Sequence, residues 1–521
     1  MRLTETADLW WKNAVVYCLD VETFHDGNGD GIGDFRGLIQ KIDHLHRLGV
    51  TCLWLMPFYP TANRDDGYDI TDYYSVDPRL GTLGEFAELV RTARDRGIRV
   101  IADLVVNHTS DRHPWFQAAR SDPDSPYRDW YVWADERPPN ADDGVVFPDK
   151  ETSLWDYDRK AKQYYLHRFY RHQPDLNVAN PDVRDEIARV MGFWMQLGLS
   201  GFRVDAVPFL LEAPIEALPD PHDYLQDLRA FMSRRDGEAI LLGEVNVPYN
   251  DALSYFGSSE GVGDQLTMCF DFVGMQQMYL SLARRDASSL THALRERPEP
   301  PRDAHWATMV RNHDELTLDK LTESERQEVF AAFGPDPDMQ VYGRGLRRRL
   351  PPMLEGDERR VRMVYSLLFS LPGTPVLFYG EEIGLGEDLS REGRMAVRVP
   401  MDWEAVSEQR RDSGSLLAWF RLLVERYREC PELAWGAHRV VDTAEAAVLV
   451  QHSEVDGHVV LTAHNLDDRE VQFEVPDLEP GQRLTDLLVD GTVQADEEGV
   501  VRLTLEPYGC RWFRTDVDRV T

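Results

Sequence analysis

No stretch of the 521-residue chain approaches the roughly 20 consecutive apolar residues that a membrane-spanning helix needs, which excludes an integral helical membrane protein. Basic residues are scarce. Lys and Arg number 57 against 91 Asp and Glu, a formal net charge of −34 whose field repels phosphate backbones and anionic lipid. Neither nucleic acid nor membrane is an expected partner. The five cysteines, Cys18, Cys52, Cys269, Cys430 and Cys510, are odd in number and widely separated, and no C-x-x-C pair occurs. That excludes a disulfide framework and a cysteine zinc site, and predicts buried thiols in a reducing compartment. The opening "MRLTETADLWWKNAVVYCLD" lacks a basic segment followed by an apolar one, so a cytoplasmic address is expected. Low-complexity tracts are missing too, and 42% hydrophobic with 10% aromatic residues reads as an ordinary globular protein of about three domains.

What is present is a repeating pattern. Short apolar runs bounded by turn residues alternate with amphipathic stretches, the signature of strand-helix units in a parallel sheet. The runs are "VVYCLD" from Val15, "TCLWLMP" from Thr51, "RVIADLVVNH" from Arg99, "GFRVDAV" from Gly201, "AILLGEV" from Ala239, "MCFDF" from Met268, "WATMVRNHD" from Trp306 and "PVLFYG" from Pro375. Stretches such as "LGEFAELVRTARDRG" and "DVRDEIARVMGFWMQLG" between them have helical spacing and a terminal Gly. Together they predict an α/β fold, a (β/α)8 TIM barrel, with an open doubly wound sheet as the alternative.

Two intervals are too long for simple connections. The aromatic, Pro- and Asp-rich interval after the third run predicts an inserted lid domain, residues 108–178. A second interval contains "SERQEVFAAFG" and "YGRGLRRRLPPMLEG", both read as helices. Alternating runs such as "AAVLVQHSEVDGHVVLTAHNL" predict a C-terminal antiparallel β-sandwich, residues 433–521. Residues 1–107 and 179–432 are left for the barrel.

Acids punctuate the ends of these strands, where a barrel presents its active-site loops. Asp205 follows "FRV", Glu244 follows "LLG" and Asp314 follows "RNH". Three carboxylates delivered to one mouth suit glycosidic bond cleavage, in which one ionised acid attacks and one protonated acid releases the leaving oxygen. Arg203, two residues before Asp205 on the same strand face, can hold that acid ionised. His108 and His313 can donate to sugar hydroxyls, or serve as satisfied core histidines.

"DLVVNH", "GFRVDAV", "LLGEVN" and "RNHDE", in this order, resemble the four signature regions of the α-amylase family, glycoside hydrolase family 13. "QPDLN" from Gln173 resembles its additional signature, and "DDGYDITDY" the loop lining its glucose subsite. Stretches such as "RNHDELTL" and "RRRLPPMLEGDERR" resemble the trehalose synthase branch of that family. The resemblance implies Asp205 as nucleophile, Glu244 as general acid/base and Asp314 as transition-state stabiliser. It implies Arg203, His108 and His313 as subsite contacts, Tyr68 stacking on the glucose ring, and Asp65, with Asp66 adjacent, bonding its outer hydroxyls. Arg398 in "RVPMDW" matches the family's arginine there, which pairs with Asp65 or touches substrate. The implied substrate is maltose or a short α-glucoside, converted to trehalose or hydrolysed. A homo-oligomer is left open.

In "DGNGDGIGD", Asp26, Asn28, Asp30 and Asp34 alternate with small residues and Ile32 offers a carbonyl, an oxygen set suited to calcium. It is no EF-hand, because Gly37 stands where a bidentate Glu is required. In the resembling enzymes this loop holds calcium or magnesium, and a second calcium would involve Asn107 and Asp175. Ser259, in "GSSEG", formally matches a nucleophile elbow but reads as a loop residue. Arg344, Arg347, Arg348 and Arg349 read as paired charges on a helix. Trp115, Phe116, Trp130, Tyr131, Trp133 and Trp155 read as the core of the insertion, with one or two lining the pocket.

Overall fold

A computed structural model describes residues 9–211, 220–257 and 263–515, so Ser259 lies outside the described residues. Eight parallel strands close into a barrel: β1 (Val16–Leu19), β2 (Cys52–Leu55), β3 (Arg99–Leu104), β4 (Gly201–Val204), β5 (Ile240–Gly243), β6 (Met268–Phe270), β7 (His305–Met309) and β8 (Thr374–Phe378). Neighbours follow chain order, and β8 returns to β1 with Val376 opposite Val16. Every residue of β1, β2, β4 and β5 is buried. Such continuous apolar runs are what a sheet covered on both faces demands.

The helices outside the barrel begin and end on local chemistry. Leu83–Arg94 starts with a capping box in which Thr82 and Glu85 satisfy each other's backbone N–H. Pro181–Gln196 is capped by the Asn180 side chain and has Pro at its first position. Phe35–Leu48 ends at Gly49, whose φ of 93° is the left-handed C-cap conformation.

Between β3 and helix Pro181–Gln196 lies a small antiparallel sheet of Trp133–Ala134, Gln163–Leu166 and Trp155–Asp158. Phe116 stacks on Trp133 at 5.6 Å and meets Tyr131 edge-on, and Trp115 packs on Trp130. These rings pack together in the insertion and continue into the barrel core.

"SERQEVFAAFG" folds as the expected helix, Glu323–Phe333. "YGRGLRRRLPPMLEG" does not. Gln340–Val341 and Gly345–Leu346 pair as a short antiparallel ladder that continues to Leu316–Thr317, and only Leu350–Met353 turns as a helix. A positive φ at Tyr342 and Gly343 makes the turn of that ladder, and Pro351 and Pro352 lack the N–H groups a longer helix would use. Arg344, Arg347, Arg348 and Arg349 are accordingly not on a helix; Arg344 and Arg348 do pair, with Glu315 and Glu387, and each of the four guanidinium groups also donates to a backbone carbonyl of a neighbouring segment.

The tail begins with a helical turn, Pro431–Trp435, and then folds as antiparallel sheets of six and two strands. Val450 and Leu461 of the larger sheet and Phe473 and Leu505 of the smaller share one apolar core. All five cysteines are free thiols, four buried and Cys510 half-buried. No helix among the described residues is long and apolar enough to cross a membrane.

Candidate active site

Strand alternation and parallel register bring the charged groups together. Asp103 on β3 stands opposite Arg203 on β4, both on the barrel interior and fully buried. Arg203 Nη1 donates to Asp103 Oδ1 at 2.7 Å and to Asp205 Oδ1 at 2.5 Å, while its Nη2 lies 2.9 Å from Glu244 Oε2. One guanidinium therefore faces three carboxylates. Ala206 takes the left-handed conformation, φ 50°, and its N–H donates to Glu244 at 3.0 Å, so the strained turn after Asp205 also orients the acid on β5.

Asp314, past the end of β7, accepts from Arg394 at 2.5 Å and Arg398 at 3.1 Å, with His313 Nε2 at 3.3 Å. Tyr68 stacks on His313, its hydroxyl 2.6 Å from Nε2, and Trp54 donates to Asp103 from below.

The electrostatics separate the acids. Burial raises Glu244 to about 7 against the opposing Arg203, and raises Asp205 to about 6 against the same guanidinium. For Asp314 burial acts the same way, but the guanidinium groups of Arg394, Arg398 and Arg203 outweigh it and hold the carboxyl well below the usual range. Desolvation keeps His108 and His313 neutral. One acid is thus poised to give a proton near neutrality while two stay ionised.

Asp65, Tyr68, His108, Phe147, Phe169, Asp205, Glu244, Asp314 and Arg394 line one inner chamber of about 50 Å³, room for a few waters. Phe147, Phe169, Glu244, Asp314 and Arg394 also border an outer chamber of about 440 Å³. Admission of a larger ligand to the inner chamber requires its walls to give.

The structure brings together Asp205, Glu244, Asp314, Asp65, Tyr68, His108, Arg203 and His313. It departs from the sequence reading in the partner of Arg398 and in the aromatic lining, and takes the core alternative for one nitrogen of His108. Arg398 is buried behind the chamber and pairs at 2.5 Å with Asp66, not Asp65, because Asp66 turns away on a positive φ of 50°. Arg394 takes Asp65 instead, at 2.9 Å, and Gln173 donates to its other oxygen. The Nε2 of His108 is engaged by the Tyr68 carbonyl at 3.1 Å. None of the six aromatic residues singled out in the insertion lines the chamber; Phe147 and Phe169 do.

Asp103, Arg394, Phe147 and Phe169 escaped the sequence reading. A lone Asp inside the apolar run "RVIADLVV" is a signal for a buried ion pair and could have been found. The others sit on aperiodic loops and gave none.

In the loop after β1, Asp26 accepts from the N–H groups of Asn28 and Gly31, and Asn28 and Asp30 each accept from the N–H two residues on. Asp34 caps a helix through Gly37 N–H at 2.6 Å. Among the described residues no group of three or more His, Cys, Asp or Glu is arranged around a metal position. Asn107 lies 3.3 Å from Asp175, but Arg168 already supplies the positive charge there, 3.2 Å from Asp175.

Residues 20–332 match the family described as alpha amylase, catalytic domain. The chain belongs to the α-amylase family. A second match, to a sucrose hydrolase-like C-terminal domain, covers residues 457–514 in the tail sheets. The chain is 38% identical to a trehalose synthase/amylase of Mycobacterium tuberculosis over 98% of its length and 91% of that relative's. It is 41% identical to the trehalose synthase of Thermus thermophilus, over 97% of this chain and 55% of that one. Among solved structures, the trehalulose synthase MutB from Pseudomonas mesoacidophila superposes with a TM-score of 0.77 at 25% identity, covering 97% of this chain and 99% of that one.

As an α-amylase family enzyme working through this site, the protein should show a bell-shaped pH dependence of kcat/KM. Activity falls below about 6 as Asp205 takes a proton and above about 7 as Glu244 loses one. On an activated glucosyl substrate whose leaving group departs without protonation, Glu244→Gln should abolish the alkaline limb; retention of that limb would assign it to another group.

Proposed function

We propose that the protein is a retaining α-glucosyl enzyme that converts maltose to trehalose by intramolecular transglucosylation, with hydrolysis as a side reaction. The observation that carries this reading is the position of Glu244, which borders both the inner and the outer chamber. Near full-length similarity to trehalose synthases supports it.

In this reading the non-reducing glucosyl unit occupies the inner chamber and the departing glucose the outer one. Asp205, held ionised by Arg203, attacks the anomeric carbon while Glu244 gives its proton to the glycosidic oxygen, leaving a covalent glucosyl-enzyme and free glucose. Glu244, now ionised, takes the proton from the anomeric hydroxyl of the reoriented glucose, which attacks the same carbon. Two displacements return the α configuration, now as a 1,1 linkage. Asp314, held ionised, offsets the positive charge developing on the ring. Asp65, Tyr68, Arg203, His108 and His313 are the ring's contacts in this reading, and Arg398 acts from behind through Asp314 and Asp66.

Water arriving before glucose turns would give hydrolysis instead, and the more distant amylase and glucosidase relatives, at 30% and 26% identity, illustrate that outcome. NMR of products from ¹³C-maltose separates the two: trehalose in excess of free glucose is expected, and glucose alone would overturn the isomerase reading.

The proposal extends to the loop after β1. Asp26, Asn28, Asp30 and Asp34 side-chain oxygens and the Ile32 carbonyl are hard donors already curled by backbone amides, and they would hold calcium, or magnesium, as a structural ion. Calcium should raise the melting temperature over EDTA-treated protein. An unchanged melting curve would sink the metal reading. A cytoplasmic setting and maltose or a short α-glucoside as the small-molecule partner complete the proposal.

A further inference from the structure

The outer chamber is closed on one side by residues 144–147 of the insertion, which no strand or helix holds in place. Arg344 hydrogen-bonds them to the barrel side, and Phe147 adds ring contacts to Tyr342 and to the Arg394 guanidinium. Arg344 Nη1 donates to the Val146 carbonyl at 2.7 Å, and Nη2 reaches Glu315, the residue after Asp314, at 3.2 Å. The backbone of Arg344 is itself anchored to that same stretch: its carbonyl accepts from Leu318 N–H at 2.8 Å, and the adjoining Gly345 pairs with Thr317. A Cβ at Gly345 would stand 2.9 Å from Glu315 Cγ, so the ladder packs closely against the Glu315 side chain. Next to Val146, Phe147 packs on Tyr170 at 4.7 Å and on Tyr342 at 4.9 Å and borders both chambers.

We infer that Arg344 is a positioning residue that latches the 144–147 segment over the outer chamber and thereby sets how the glucosyl-enzyme divides between sugar and water. The inference rests on the proposed transglucosylation. Its physical basis is that the two hydrogen bonds are charge-assisted and join the wall of the acceptor chamber to the residue that follows an acid of the site. Without them the segment keeps the ring contacts of Phe147 and the hydrogen bonds from Lys150 and Glu151 N–H to the Phe147 carbonyl, so its Val146 end opens more often and bulk water competes for the anomeric carbon. Arg344 touches no reacting atom, so chemistry at Asp205 is left intact.

The test is the ratio of glucosyl transferred to sugar over glucosyl lost to water, read by NMR from ¹³C-maltose, with melting curves in parallel. Arg344→Leu should lower this ratio at least about tenfold, the effect of losing a charged hydrogen bond, while total maltose consumption changes less. Arg344→Lys, able to reach one acceptor but not both, should fall between. A ratio equal to wild type in a folded Arg344→Leu protein overturns the inference. If that variant does not fold, Arg344→Lys decides: a lowered ratio supports the latch and an unchanged ratio overturns it. A wild-type enzyme that transfers glucose but makes no trehalose would overturn the isomerase reading and leave the latch to be judged by the same ratio; one that yields only glucose would overturn both.

Discussion

Asp205→Asn is expected to lower kcat on maltose by at least about 10⁴-fold while the protein stays folded. The loss is chemical, because the amide keeps the shape but cannot form the glucosyl ester. Folding is spared because Asp103 and Glu244 still face Arg203 and because one charge leaves a crowded acidic cluster. Melting temperature is expected to hold or rise slightly, since burial already works against ionisation of Asp205. Steady-state kinetics beside a thermal melt would check both halves. Turnover within about tenfold of wild type would remove Asp205 as nucleophile and revive a binding or scaffold role for the barrel.

Arg203→Met should cost stability as well as turnover, because Asp205 loses the guanidinium that favours its ionised form. Arg203 is wholly buried, and its removal leaves Asp103, Asp205 and Glu244 without their shared cation. Breaking a buried pair from one side typically costs about 3–5 kcal/mol, because the remaining charge stays desolvated. The deficit should depend on pH with a definite sign. The three carboxyls are raised even with the arginine present, to about 6, 6 and 7, and rise further without it. They therefore take up protons and become neutral as pH falls, so the gap in melting temperature between variant and wild type should narrow from pH 8 to pH 5. A gap that stays constant or widens would show that Arg203 is not balancing these acids.

The two variants fall on different sides of what could be read from the chain. Arg203 and Asp205 are two residues apart on a strand, so their common face follows from backbone geometry, and the apolar runs that frame Glu244 and Asp314 are equally local. Asp103 was readable by the same rule, as a charge in an apolar strand that needs a buried partner. The helix expected around Arg344 shows where that rule stops: the basic residues read as paired charges on a helix, but positive φ at Tyr342 and Gly343 and the two prolines at 351 and 352 break the run into a ladder.

By itself the sequence determined the barrel, the strand ends that carry the three acids and the partner of Asp205, because strand periodicity and burial are written in adjacent residues. Only the tertiary structure decided that Arg394 takes Asp65 and Arg398 takes Asp66, pairings that span 329 and 332 residues, and that Phe147 and Phe169 wall the chamber. Loops have no period to betray their direction. Which of two neighbouring aspartates meets which arginine is settled by where the folded barrel sets those loops down and by the need of each buried charge for a counter-charge.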